Sequence, residues 1–130
     1  MSIDLKFYPL NRHINPKTEK RPFSSMGIDV GSNLGIYDAL MELSQKKGKK
    51  VKKFSCPEAV IPDGECEGER YYGDVTEDDG GQKLRMLTAK QLTEFFTEHY
   101  AQIVADERPR AAFAYVNALP PERYVLLYWC

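Results

Sequence analysis

Cysteine is scarce in this chain of 130 residues: Cys56, Cys66 and Cys130 make an odd three with no close pair. Small secreted scaffolds carry an even, dense cysteine framework, so the pattern argues for a reduced protein, with a Cys56–Cys66 bridge as the lesser alternative. A zinc centre is not written here either, since no C-x2–4-C or H-x3–5-H pair joins the cysteines to His13 and His99. No stretch approaches the ~18 apolar residues of a membrane span. The opening Met-Ser-Ile-Asp-Leu-Lys has no apolar signal region. G-x-x-x-x-G-K-[ST], G-x-G-x-x-G and G-x-S-x-G are all missing, which leaves no standard phosphate loop or serine elbow. These absences predict a soluble, cytoplasmic protein with no membrane contact and no cofactor, more a binder than an enzyme.

What is present suffices for a core. An apolar fraction of 42% supports one globular domain over residues 1–130 without disulfides. Eight Tyr and six Phe supply large side chains that serve contact surfaces as well as interiors.

Periodicity predicts an α+β fold: a small sandwich whose mixed or antiparallel sheet of about four strands packs on two to three helices. Residues 2–8 alternate as a half-buried strand, with Ile3, Leu5 and Phe7 on one side, Asp4, Lys6 and Tyr8 on the other, and Pro9 at its end. Residues 10–25 read as a long loop with a turn at Asn15-Pro16. A helix is expected from a cap at Ser32 or Asn33, through Leu34, Tyr37, Leu40 and Met41, to Lys46, Lys47 and a left-handed Gly48. Val51 and Phe54 suggest a short extended piece, and residues 55–68 an irregular loop. Arg70–Tyr72 and Gln82–Leu87 frame an expected hairpin with an acidic tip, Gly80-Gly81 supplying positive φ angles. Thr88 and Gln91 form a capping box ahead of a helix whose apolar face runs Leu92, Phe95, Phe96, His99, Tyr100, Ile103, Val104. Pro109 opens a further helix reaching Leu119. The unbroken apolar run Tyr124–Trp129 predicts an interior strand covered on both faces, with the first strand nearby.

Charge is segregated rather than absent. Lys46, Lys47, Lys49, Lys50, Lys52 and Lys53 fill six of eight positions, while residues 58–79 hold nine carboxylates against Arg70, yet the net charge is −1. Fields of that kind steer encounters with partners. A nucleic-acid binder would use the lysines on phosphates and the neighbouring aromatics on bases. A pI of about 6.1 and a single basic patch favour a protein partner instead. A third role for the lysines is simply to stop a strand edge from pairing with other chains.

Two stretches invite a chemical reading. Asp74, Thr76 and Asp78 alternate as calcium-loop ligands do, but Asp79 and Arg85 stand where such a loop needs Gly and Glu, so a solvated tip is expected. Met26-Gly-Ile-Asp-Val-Gly-Ser-Asn-Leu-Gly35 resembles the first phosphate loop of the actin and sugar-kinase superfamily. That resemblance covers about ten residues of a fold that needs two large lobes, and a glycine-rich helix entrance is the simpler expectation. In its Asp-Leu-Lys-Phe-Tyr strand, charged irregular loops and apolar strand after Ala-Leu-Pro-Pro, the chain also resembles small phage-encoded proteins.

The resulting expectation is a binding protein acting through a charged surface on a protein partner. The phage resemblance implies an inhibitor of a host enzyme or defence complex. The candidate contact residues are Glu65, Glu67, Glu69, Glu77, Asp78 and Asp79, whose carboxylates can imitate nucleic-acid phosphate, together with Lys46, Lys47, Lys49, Lys50, Lys52 and Lys53. Nucleic-acid binding through Lys46–Lys53, and a small ligand or enzyme site not visible in the sequence, are the alternatives.

Overall fold

A computed structural model describes residues 4–10, 27–32, 34–52, 54–56, 73–78 and 81–130. Its centre is the apolar run near the C-terminus, which forms β7 (Tyr124–Trp129) and is buried from Val125 to Trp129. Strand β1 (Asp4–Pro9) pairs antiparallel with it on one side, and β6 (Arg85–Thr88) on the other. Strands β2 (Ile28–Ser32) and β3 (Lys49–Lys50) close the two edges, giving the order β2-β1-β7-β6-β3. The interior position predicted for the last strand, and its closeness to the first, are both observed. The main sheet has five strands rather than about four. A separate pair joins β4 (Phe54–Cys56) to β5 (Gly73–Val75).

The described residues form four helices: α1 (Tyr37–Lys47), α2 (Ala89–Glu98), the single turn α3 (Tyr100–Ile103) and α4 (Glu107–Ala118). Leu40, Leu92, Phe95, Phe96, Ile103, Ala112 and Val116 pack from them onto Leu5, Phe7, Leu87, Val125, Leu127 and Trp129 of the sheet. The opposite face is also apolar. Tyr8, Leu84, Met86, Leu126 and Tyr128 cluster there with Phe54 of β4. Tyr8 is therefore wholly buried, where alternation alone made it a solvent-facing residue. Pro9 is the last residue of β1 instead of its terminator.

Helix α2 forms as its sequence predicts. The Thr88 amide donates to Gln91 Oε1 at 2.9 Å and the Gln91 amide donates to Thr88 Oγ1 at 3.2 Å. Its apolar stripe is interrupted, however. His99 ends the helix with φ −107° and ψ 20°, so the turn that follows rotates Tyr100 and Val104 outward to 47% and 41% exposure. The His99 ring stacks on Phe95 at 4.3 Å, and its Nδ1 lies 3.0 Å from the Phe95 carbonyl oxygen. A carbonyl only accepts, so Nδ1 carries the proton. Helix α4 spans the predicted interval with Pro109 in its first turn, and Leu119 caps its end.

The first helix begins later than predicted. Its N-cap is Ile36 and no side chain caps it. Ser32 lies in β2, and its hydroxyl donates to Asp4 of the neighbouring strand; Asn33 falls outside the described residues. Strand β2 carries a bulge: Leu5 faces Gly31 and Lys6 faces Asp29, which leaves Val30 as the extra residue, buried in the core. Gly31, beside it, has φ +115°.

Of the hairpin expected ahead of α2, the first arm at 70–72 lies outside the described residues, and the segments on either side of its tip pair as follows. Gly73–Val75 pairs with Phe54–Cys56, and Arg85–Thr88 pairs with β7 and β3. One isolated bridge, Glu77 to Lys83, joins the two arms. Gly81 does take a positive φ of +78°, as expected for one of its two glycines. The loop read at 10–25 lies outside the described residues from position 11. The irregular segment at 55–68 lies outside them from position 57, its first two residues belonging to β4.

Candidate functional site

The lysine run sits where α1 ends and the sheet's outer edge begins. Lys46 closes an i, i+4 pair with Glu42 at 2.7 Å, and that hydrogen bond and charge hold the exposed Glu42 carboxyl below its usual range. Lys46 and Lys47 stand in the last turn, near the negative end of the helix dipole. Gly48 then leaves the helix with φ −71° and ψ 144°, extended rather than left-handed. Glycine is required there by space, because a Cβ would come within 2.2 Å of the Ser44 carbonyl oxygen. The extended exit delivers Lys49 and Lys50 directly into β3.

Antiparallel pairing then fixes what the lysines face. Lys49 is opposite Met86, on the side of the second core, with its Nζ 5.3 Å from the centre of the Tyr124 ring. Lys50 is opposite Arg85, whose Nε donates to Gln45 Oε1 at 3.4 Å. Two residues on, exposed Lys52 continues the edge. On the partner segment, Lys83 stands two residues before Arg85. Alternation directs each such pair to one side of its segment.

These four cations surround a cleft of about 260 Å³, with Val51 and Leu84 between them and Thr76 and Glu77 on the remaining wall. Lys83 and Arg85 were not among the residues singled out from the sequence. The signal available for them was their spacing, a cation on each side of buried Leu84, matching Lys50 and Lys52 around Val51.

The acidic tip is less uniform than its sequence. Glu77 is exposed and lines the cleft. Asp78 is only 6% exposed; its Oδ1 accepts from the Gln82 amide at 2.9 Å, and its carbonyl accepts from the Gly81 amide at 3.0 Å. Asp78 thus holds a turn together. Glu65, Glu67, Glu69, Asp79 and Lys53 lie outside the described residues.

The run resembling a phosphate loop is β2 itself. Asp29 accepts from the Gly31 amide at 3.0 Å and pairs with Arg108 of α4 at 3.2 Å. Its carboxylate fastens the edge strand to the helix layer. Among the described residues no three His, Cys, Asp or Glu side chains gather as a metal site would require, and no helix is long and apolar enough to cross a membrane. No family model, curated protein or solved structure matches this chain.

Proposed function

We propose that this chain is a binding protein that engages a protein partner through the basic edge of its sheet, the partner presenting carboxylates to it. The supporting observation is the convergence of Lys50, Lys52, Lys83 and Arg85 on one cleft, flanked by Lys47 and Lys49, with Glu77 the one carboxylate lining that cleft among the described residues. A clustered field of this kind accelerates association and selects partners by charge. The acidic tip contributes less, because Asp78 is turned inward. In the phage-encoded form that the sequence resembles, such binding would make the protein a cytoplasmic inhibitor covering an acidic surface of a host enzyme or defence complex.

Nucleic acid is the weaker reading for this edge. Phe54 is 3% exposed and Tyr124 lies under Lys49, while the exposed aromatics Tyr100 and Tyr115 belong to α3 and α4. Phosphates could be contacted there, but among the described residues no exposed aromatic lies at this edge for bases to stack on.

The test is affinity capture from nuclease-treated host-type lysate, eluted in salt steps, with the wild-type chain beside a Lys49→Glu/Lys50→Glu/Lys52→Glu variant. One stoichiometric protein held by the wild type and lost by the variant supports the reading. A partner retained equally by both removes the basic edge from it, and nucleic acid held only when nuclease is omitted transfers the edge to the phosphate reading.

A further inference from the structure

The cleft is unbalanced in charge. Lys50 stands directly opposite Arg85 across the β3–β6 ladder, and like charges at opposed positions of an antiparallel pair weaken a sheet. Lys52 and Lys83 add two more cations from separate segments. Among the described residues, Lys50, Lys52 and Lys83 have no ion-pair partner. Glu77, opposite Lys83 across the isolated bridge, is the one carboxylate lining the cleft among the described residues and offsets at most one of the four positive charges. A fold that gathers like charges around a hollow, at a cost to its own ladder, has the electrostatics of an anion site.

We infer that this cleft binds a phosphate-type polyanion of diphosphate size. Its volume of about 260 Å³ is below the ~300–1,000 Å³ of pockets that enclose a whole drug-sized ligand, so it admits a compact group. Lysine ammoniums act as point charges on phosphate oxygens, and the Arg85 guanidinium can add a two-pronged contact. Thr76, exposed on the wall, offers a hydroxyl. A single carboxylate would match one of the four cations. A diphosphate spreads several negative charges over two adjacent centres and matches the set. The inference uses lysines of the proposed partner surface but requires no partner.

Isothermal titration of the full chain with inorganic pyrophosphate tests it, at ~50 mM salt where phosphate contacts are strongest. Saturable one-to-one binding is expected, with sulfate clearly weaker. Lys52→Gln combined with Lys83→Gln should weaken pyrophosphate by about tenfold or more, Glu77→Gln should tighten it, and Lys90→Gln on α2 should leave it unchanged. Thermal midpoints of the variants verify that each is folded. Absence of saturation overturns the inference, as does equal binding of sulfate or equal weakening by Lys90→Gln, since either would mean a diffuse field. Duplex DNA that binds through the same lysines and is not displaced by pyrophosphate also overturns it. Titration needs no partner and capture needs no pyrophosphate, so failure of one reading is distinguishable from failure of the other.

Discussion

The hydroxyl of Tyr37 donates a hydrogen bond to the carbonyl oxygen of Gly31, fastening the first turn of α1 to the bulged edge strand β2. The same ring meets Trp129 edge-on at 5.0 Å, so one side chain ties β2, α1 and the central strand. Burial pushes the Tyr37 hydroxyl's pKa well above the ordinary tyrosine value, and the carboxylates of Asp29, Asp4 and Asp106 push it further. The folded chain therefore holds this proton more tightly than the unfolded chain does. That stability is fully present below the unfolded value of about 10 and is lost as pH rises from there toward the folded value. Urea unfolding should show stability falling above about pH 10. Tyr37→Phe should flatten that slope while costing about 1–2 kcal/mol at neutral pH, through the unpaired Gly31 carbonyl.

Gly31 itself carries the positive φ at the bulge, and a Cβ there would meet nothing closer than Arg108 Cβ at 3.8 Å. Gly31→Ala should therefore lose about 1–2 kcal/mol from backbone strain rather than from collision. Gly35, with open space around it and no positive φ, is the control. Gly35→Ala should be neutral or gain about 0.4–1 kcal/mol by restricting the unfolded chain. Denaturant midpoints of the two variants should move in opposite directions or differ by the full strain.

Coverage of both sheet faces is testable at adjacent positions. Leu127 points to the helix layer and Leu126 to the cluster of Tyr8, Phe54 and Tyr128, both almost wholly buried. Truncation of either to Ala should cost about 2–5 kcal/mol. A cost near zero for Leu126→Ala would mean that the second face is open to solvent.

Lys50→Glu should separate stability from binding. It replaces a like-charge pair with an opposite-charge pair facing Arg85, so the urea midpoint should rise by the equivalent of about 0.2–1 kcal/mol. Pyrophosphate affinity and partner capture should fall in the same variant. A change that stabilises the fold while weakening the ligand identifies Lys50 as serving binding.

Thr88→Ala removes one half of the reciprocal cap on α2 and should cost about 1 kcal/mol, measured by equilibrium unfolding.

The parts legible in the sequence were those decided within about one turn or one strand. Thr88 and Gln91 find each other because they are three residues apart, whatever the rest of the chain does. Pro109 supports a first turn by its own ring geometry. Six consecutive apolar residues from Tyr124 have no polar face to turn toward water, so their strand lies inside. Local resemblance misled where a distant partner competed. Ser32 has the chemistry of a helix cap, but Asp4, remote in sequence, takes its hydroxyl. Tyr8 alternates like a surface residue, but Phe54 and Tyr128 cover it.

The sequence by itself therefore determined an α+β chain with capped α2, Pro-initiated α4, an interior last strand and a concentrated run of lysines. Only the tertiary structure decided that Lys50 would stand against Arg85, that Lys83 would complete the cleft, and that Asp78 would be turned inward. Side-chain periodicity reports which face of an element is apolar. It does not say which element will lie beside it, because strand pairing depends on contacts between residues far apart in the chain, and those contacts set where like charges meet.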